Sequence, residues 1–250
     1  MKTTKVISLT VIATLIFLSV TVFGLYYLYQ QSHSFSPHTA KEEAKIYLYG
    51  SIKDKHKNSE KSDKRKYEVW KDHYDNHGIR HLFLEIPYFS AQLLNLWMHE
   101  KDDSIISDFS EESVNFYKKI KSGCPETVFH GTDLGWWAFD DQGKKYLEYL
   151  KNSEKQDSEE YKITLQNIEE GKKWWTPDTH IDLGYRENLM ARYFIREFDK
   201  IGESKAVGFF AANHCIIHPL SSKMAQKLKV YYGDVINTQL LFDDQNPSEK

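Results

Sequence analysis

Cysteine is scarce. Cys124 and Cys215 are the only two, far apart in sequence, and they form neither a CxxC pair nor a zinc-ligand spacing. A cysteine-based zinc module is thereby excluded, while two free thiols and one disulfide both stay open. A surplus of positive charge is also lacking: 33 Lys and Arg face 36 Asp and Glu, for a formal net charge of −3. That balance argues against nucleic acid as a partner, because phosphate binding draws on a basic face. No segment repeats along the chain. What is present is an ordinary globular mixture, 40% hydrophobic and 28% charged over 250 residues, enough for one sizeable domain. Aromatics are plentiful, with 16 Tyr, 14 Phe and 6 Trp, and suit either a packed core or the lining of a groove.

The amino terminus carries the one long apolar run. Val6 to Tyr29 is broken only by Ser, Thr and Gly. As a helix it would be about 36 Å long at roughly 1.5 Å per residue, enough to span a bilayer with some tilt. Lys2 and Lys5 precede it and Tyr26, Tyr27 and Tyr29 close it, a pattern that places the first residues in the cytosol. The following "GLYYLYQQSHS" has no small-x-small cleavage site, and no lipobox cysteine is present. These features predict an uncleaved single-pass anchor over residues 1–29, a linker over 30–45 and an extracytoplasmic domain over 46–250.

Within that domain, strand and helix patterns alternate. "KIYLYG", "IRHLFLEIP", "TVFHGTDL", "KAVGFFAANHCI" and "INTQLLF" read as strands. "YEVWKDHYDNHG" and "YFSAQLLNLWMHE" read as helices, and "SEESVNFYKKIKSG" adds a capping-box start at Ser110. "DLGYRENLMARYFIREFDKIG" is strongly amphipathic, with Leu189, Met190, Tyr193, Phe194 and Phe198 on the apolar side. The charged stretch from about 140 to 178 reads as a helical hairpin inserted into the domain. The order predicts an α/β fold with a largely parallel sheet flanked by helices.

In such sheets ligands bind beyond the carboxyl ends of the strands. Polar residues collect there: Ser51, Lys53 and Asp54 after the first strand, Glu85 in the second, His130 and Asp133 in the third, Asn213 and His214 in the fourth. Each also has a plain explanation. A strand-end carboxylate can cap the next helix, and a buried histidine can be a satisfied core residue. His56, His73, His77 and His81 fall in a charged region that suits solvation. Convergence on one sheet edge is what favours function over those explanations. Trp136-Trp137 and Trp174-Trp175 flank the helical insert, as core packing or as a wall for an apolar, sugar or macrocyclic ligand.

"FLEIPYFSAQLLNLW", "FHGTDLG", "YRENLMARYF" and "VGFFAANHCI", in that order, resemble the erythromycin esterase-like superfamily. That group also takes in the ChaN-like haem-binding proteins and the TraB/TIKI-type proteases. "RENLMA", Arg186 to Ala191, matches the family's Arg-acid-x-x-Met-Ala helix closely, and the resemblance covers about Ile46 to Phe242. It implies that Glu85 is the strand-end carboxylate of the active cleft and Arg186 the cleft arginine, holding a carboxylate or an oxyanion. It further implies that His214 is the late-strand acid/base and Asp133 the turn acid that orients the cluster.

The departures are as informative. The esterases carry a Gly-Glu-x-x-His signature after the first strand, where this chain has Gly50-Ser51-Ile52-Lys53-Asp54. The TIKI-type proteases use paired Gly-x-x-His motifs as metal ligands. Here the two read "GSIK" and "AANH", so a lysine stands where one ligand belongs, and a cation there repels a metal. His56 could fill the gap from a longer loop. No cofactor and no metal are therefore expected. The expectation is a membrane-anchored hydrolase-like protein that cleaves an ester or related acyl bond by water activation. In it Glu85 and His214 move protons, Arg186 stabilises charge, and Lys53, His130 and Asn213 assist binding. The other expectation is a non-catalytic binder of haem, a lipid or an envelope component on the same fold.

Overall fold

The computed structural model describes residues 45–51, 59–175, 183–202 and 205–241. The apolar run Val6–Tyr29, the linker, and the loop carrying Lys53, Asp54 and His56 lie outside the described residues. Among the described residues no helix is long and apolar enough to cross a membrane.

Five strands form one sheet: β1 (Lys45–Ser51), β2 (His81–Pro87), β3 (Val128–Asp133), β4 (Lys205–Ala211) and β5 (Ile236–Leu241). Their spatial order is β3-β2-β4-β1-β5, and every neighbouring pair is parallel. Among the described residues seven α-helices accompany them. These are α1 (Ser59–His77), α2 (Tyr88–His99), α3 (Glu111–Gly123), α4 (Asp140–Asn152), α5 (Glu159–Trp174), α6 (Leu183–Ile201) and α7 (Met224–Tyr232).

Strand composition follows position in the sheet. Central β4 buries Ala206 through Phe210 without a break, as a strand covered on both faces must. Outer β5 exposes Asn237, Thr238 and Gln239, polar residues that keep an edge from recruiting another strand. The opposite edge is covered instead. The Asn95 side chain of α2 donates to the Phe129 carbonyl (2.9 Å) and accepts from the Phe129 amide (2.8 Å), satisfying backbone groups of β3.

One face of the sheet packs against α1, α2 and α3, where Trp70, Leu94, Trp97, Phe116 and Ile120 meet Leu82, Leu84, Phe129, Val207 and Phe209. Alternate residues of the same strands point the other way, toward α6. Phe83 stacks on Phe194 with ring centroids 4.2 Å apart, and Phe198 lies 6.3 Å from it. The five residues expected on the apolar side of α6 are all buried there. Gly78 and Gly202 take positive φ of 65° and 62° just past α1 and α6, where they end the helices. The predicted hairpin is the pair α4 and α5. Cys124 and Cys215 are both buried free thiols, which settles the choice the sequence left open.

One local feature departs from expectation. Gly131-Thr132-Asp133 is not a turn after the third strand but its last three residues. The register explains why: Leu84 pairs with Gly131 while Pro87 pairs with Asp133, so β2 carries one extra residue across from Thr132. This is a β-bulge, and it falls on Glu85 and Ile86. Gly131 makes it possible, because a Cβ there would lie 2.2 Å from the Pro87 carbonyl oxygen.

Candidate active site

Glu85, Asp133, Arg186 and His214 come together at the carboxyl edge of the sheet. β2 supplies Glu85 from its bulge, β3 ends in Asp133, the first turn of α6 projects Arg186, and His214 sits in a 3-10 turn, Ala212–Cys215, directly after β4. Glu85 shares the α6 side of β2 with Phe83, so its carboxylate meets the helix that carries Arg186.

The contacts interlock. Arg186 grips Asp133 through two donors, Nε to Oδ1 at 2.9 Å and Nη2 to Oδ2 at 2.6 Å, and Nη2 also donates to Glu85 Oε1 at 2.9 Å. Fork-to-carboxylate pairing of this kind fixes direction as well as energy. The second Glu85 oxygen accepts from the Ala211 amide at 2.6 Å. His214 Nε2 lies 3.4 Å from Glu85 Oε1, and its Nδ1 donates to Glu187 Oε1 at 2.9 Å. Asp133 is held in turn by Asn167, whose side-chain amide donates to the Asp133 carbonyl at 2.9 Å.

Glu187 is the residue that sequence reasoning missed. It is buried, and besides His214 it accepts from Lys223 Nζ (3.1 Å) and from the Met224 amide (2.7 Å) at the start of α7. A carboxylate is stabilised at a helix N-terminus by the exposed amides and the dipole. A signal for it existed. Counting back from Phe194 and Met190, Glu187 falls on the apolar stripe of α6, and a carboxylate there needs a partner.

The electrostatics define the protonation states. Burial on its own raises Glu85, but the hydrogen bond and charge of His214, the charge of Arg186 and the Ala211 amide outweigh it and hold the carboxyl at about 2. Burial on its own lowers His214, and Glu187 and Glu85 outweigh that, lifting the imidazole to about 9. Glu187 is likewise held below the ordinary carboxylate range, by His214, the Met224 amide and Lys223 against the effect of burial. At neutral pH the cluster is therefore an imidazolium between two carboxylates, with Arg186 on one side. Glu85 and Arg186 keep solvent contact, 23% and 19% of their side chains being exposed, while His214 is enclosed. Burial, then Glu85 and Glu187, push the Cys215 thiol up to about 12, so it is no nucleophile.

The remaining expected residues fall in three places. Ser51 ends β1 and donates its hydroxyl to the Phe210 carbonyl at 3.3 Å. Asn213 is exposed beside His214, and Lys53 lies outside the described residues. His130 lies apart from the cluster. It sits in the middle of β3 because the strand runs on to Asp133, and it faces away from the edge cluster. Its Nε2 pairs with His81 Nδ1 at 2.9 Å, Phe83 stacks on its ring at 4.5 Å, and Glu197 is 3.6 Å from its Nδ1. Glu197 lies near the far end of α6 from Arg186. Burial and then His130 push His81 down to about 4, so it is neutral and not the solvated residue expected.

The charged cluster thus lies beyond the carboxyl ends of a parallel α/β sheet. Comparison with solved structures narrows the fold. An erythromycin esterase variant in its open conformation superposes with a TM-score of 0.55 at 12% identity, over 80% of this chain and 70% of that one. A Bacillus cereus protein gives 0.52 at 12% identity, and a succinoglycan biosynthesis protein gives 0.52 at 13% identity, each over 79% of this chain. The chain spans just under two thirds, 65%, of the length of these last two. Neither a family model nor a curated protein matches the sequence. The chain shares its fold with the erythromycin esterase and the other two structures.

Proposed function

We propose that the protein is a hydrolase that cleaves an ester or related acyl bond at the Glu85–Arg186–His214 cluster. The observation that carries this is the placement of His214, charged and clamped between Glu85 and Glu187, with Arg186 on the same Glu85 oxygen. The likeness in fold to an erythromycin esterase supports the reaction class.

The groups suit these steps. Arg186 donates to the acyl oxygen as negative charge develops on it. Once that oxygen draws Arg186 and His214 from Glu85, the carboxylate loses the partners that suppress its basicity. It then takes a proton from the attacking water. As the carbon–oxygen bond breaks, His214 gives its Nε2 proton to the leaving alkoxide. Glu85 and His214 face each other at 3.4 Å, so the proton on Glu85 returns to His214 and the resting charges are restored. Asp133 fixes the guanidinium and Glu187 fixes the ring. This division of labour needs no Glu or His in the first loop.

On the strength of the Val6–Tyr29 run and the lysines before it, we place the domain outside the cytoplasmic membrane on a single-pass anchor. A panel of p-nitrophenyl esters tests the chemistry. Glu85→Gln and His214→Ala should each abolish turnover and leave the circular dichroism spectrum unchanged. Wild-type rates surviving in both variants overturn the proposal.

A further inference from the structure

Two of the six tryptophans, Trp70 and Trp97, are fully buried core residues. The other four stand together next to the charged cluster. Trp136 stacks on Trp175 with centroids 5.6 Å apart and planes at 26°, and Trp137 meets Trp136 edge-on at 5.4 Å. Trp174 lies 5.6 Å from Trp175, and the Arg186 guanidinium is 5.6 Å from the Trp174 ring. The rings thus form a continuous wall running from Arg186 outward. Its outer members are open to solvent, Trp137 at 60% and Trp175 at 48% exposure.

The chain is built to hold this wall. Each pair follows a glycine, Gly135 before Trp136-Trp137 and Gly171 shortly before Trp174-Trp175. A Cβ at Gly171 would lie 2.3 Å from the Gly135 carbonyl oxygen, so the two backbones touch and press the two indole pairs together. The Gly135 amide also donates to the Asn167 carbonyl at 3.2 Å, and the Asn167 side chain holds Asp133. The wall and the charged cluster therefore share one support.

The chemistry of the wall separates the ligands it could take. Flat indole faces stack on the axial C–H face of a pyranose as well as on hydrocarbon. The Nε1–H groups of Trp136 and Trp174 are buried and have no hydrogen-bond partner among the described residues. A hydrocarbon offers those donors nothing, whereas a ligand rich in hydroxyl and ether oxygens carries the acceptors they lack. Asp140 and Asp141 start α4 directly after Phe139, whose ring packs on Trp136 at 5.6 Å, and can accept from sugar hydroxyls.

The geometry points to a carbohydrate subsite: the Trp136–Trp137–Trp174–Trp175 wall binds a neutral pyranose ring and presents an acyl group on it to Glu85 and Arg186. The substrate is then an acylated carbohydrate, an inference that rests on the hydrolase proposal for the reacting end only.

Calorimetric titration with cellotetraose, maltotetraose and chitotetraose tests the wall by itself. Saturable binding of at least one is expected in the wild type. Binding should be at least tenfold weaker in the Trp137→Ala, Trp175→Ala double variant. Absence of binding to all three in the wild type overturns the inference, as does undiminished binding in the double variant. So does a tightly bound anilinonaphthalene sulfonate that none of the sugars displaces. Sugar binding with no acetate released from the peracetylated form of the bound tetrasaccharide and no turnover of any p-nitrophenyl ester sinks the hydrolase proposal and leaves the wall standing. Turnover of p-nitrophenyl esters without sugar binding does the reverse.

Discussion

His214 owes its charge to two carboxylates that reach it from different elements, Glu85 from β2 and Glu187 from α6. Glu187 never faces the solvent-exposed side of the cluster, so it acts through the ring and is a positioning residue. Its removal has a distinct signature. Glu187→Gln keeps the shape and takes away the negative charge, so the His214 pKa should fall from about 9 toward the ordinary histidine value. The pH profile of turnover, or the His214 ring resonances, reads this directly. The loss of the pair should cost about 1–3 kcal/mol of stability, since one partner of a buried contact is left with a weaker acceptor. His214 still titrating near its wild-type value would refute the role. The sequence alone showed Arg186 and concealed Glu187. Both stood in the "RENLMA" motif, which suggested a role for Arg186 alone, and the part Glu187 plays shows only once α6 buries it against His214.

At the level of elements, the pairing of β2 with β3 decides where Glu85 points. A strand alternates its faces strictly, and an extra residue resets that alternation. Glu85 keeps the α6 side that Phe83 also takes, the bulge begins there across from Thr132, and the Thr132 hydroxyl, donating to the Leu84 carbonyl at 3.0 Å, ties the two strands at that point. Gly131 is then required for steric reasons, not for backbone freedom. Gly131→Ala should destabilise by about 2–3 kcal/mol, because its Cβ would press on backbone that cannot rotate away. It should also lower turnover by displacing Glu85. Urea unfolding with a wild-type midpoint would remove the bulge from this account. Patterns that repeat were legible here. The 3.6-residue stripe of α6 and the apolar runs of β2 and β4 each rest on several residues, so the elements and the parallel order could be read. A bulge is one residue of misfit between two distant segments, so the Gly-Thr-Asp stretch read as a turn and His130 was set at an edge it does not reach.

For the whole molecule, buried titratable groups at the two ends of the sheet pull stability in opposite directions with pH. At the carboxyl edge the His214 pKa is raised, so its contribution is fully present below the unfolded value near 6.5 and is lost as pH climbs toward about 9. At the amino end of β2, His81 is pushed down to about 4, and burial and then the charge of His77 lower His73 as well. His81 is half-buried and His73, on α1, is buried; both are neutral, so stability falls as pH drops below about 6.5 and the unfolded chain takes up protons that the native state refuses. Glu85, Glu187 and Glu197, all held below their ordinary values, extend the acid limb below the ordinary carboxylate pKa near 4.5. The two limbs meet, so stability should peak near pH 6.5. Above about pH 8.5 the thiols and then the tyrosines ionise in the unfolded chain, so the interval from about 6.5 to 8.5 isolates His214. Across it, the unfolding free energy of the wild type should decline by on the order of 2 kcal/mol. In His214→Gln that slope should vanish, with a lower plateau, while the part of the acid limb set by His81 and His73, between about pH 6.5 and 5, stays as steep as before. Urea titrations at about pH 5, 6.5 and 8.5 distinguish the limbs, and a wild-type curve still rising between the last two would show that His214 is not the cation the site requires.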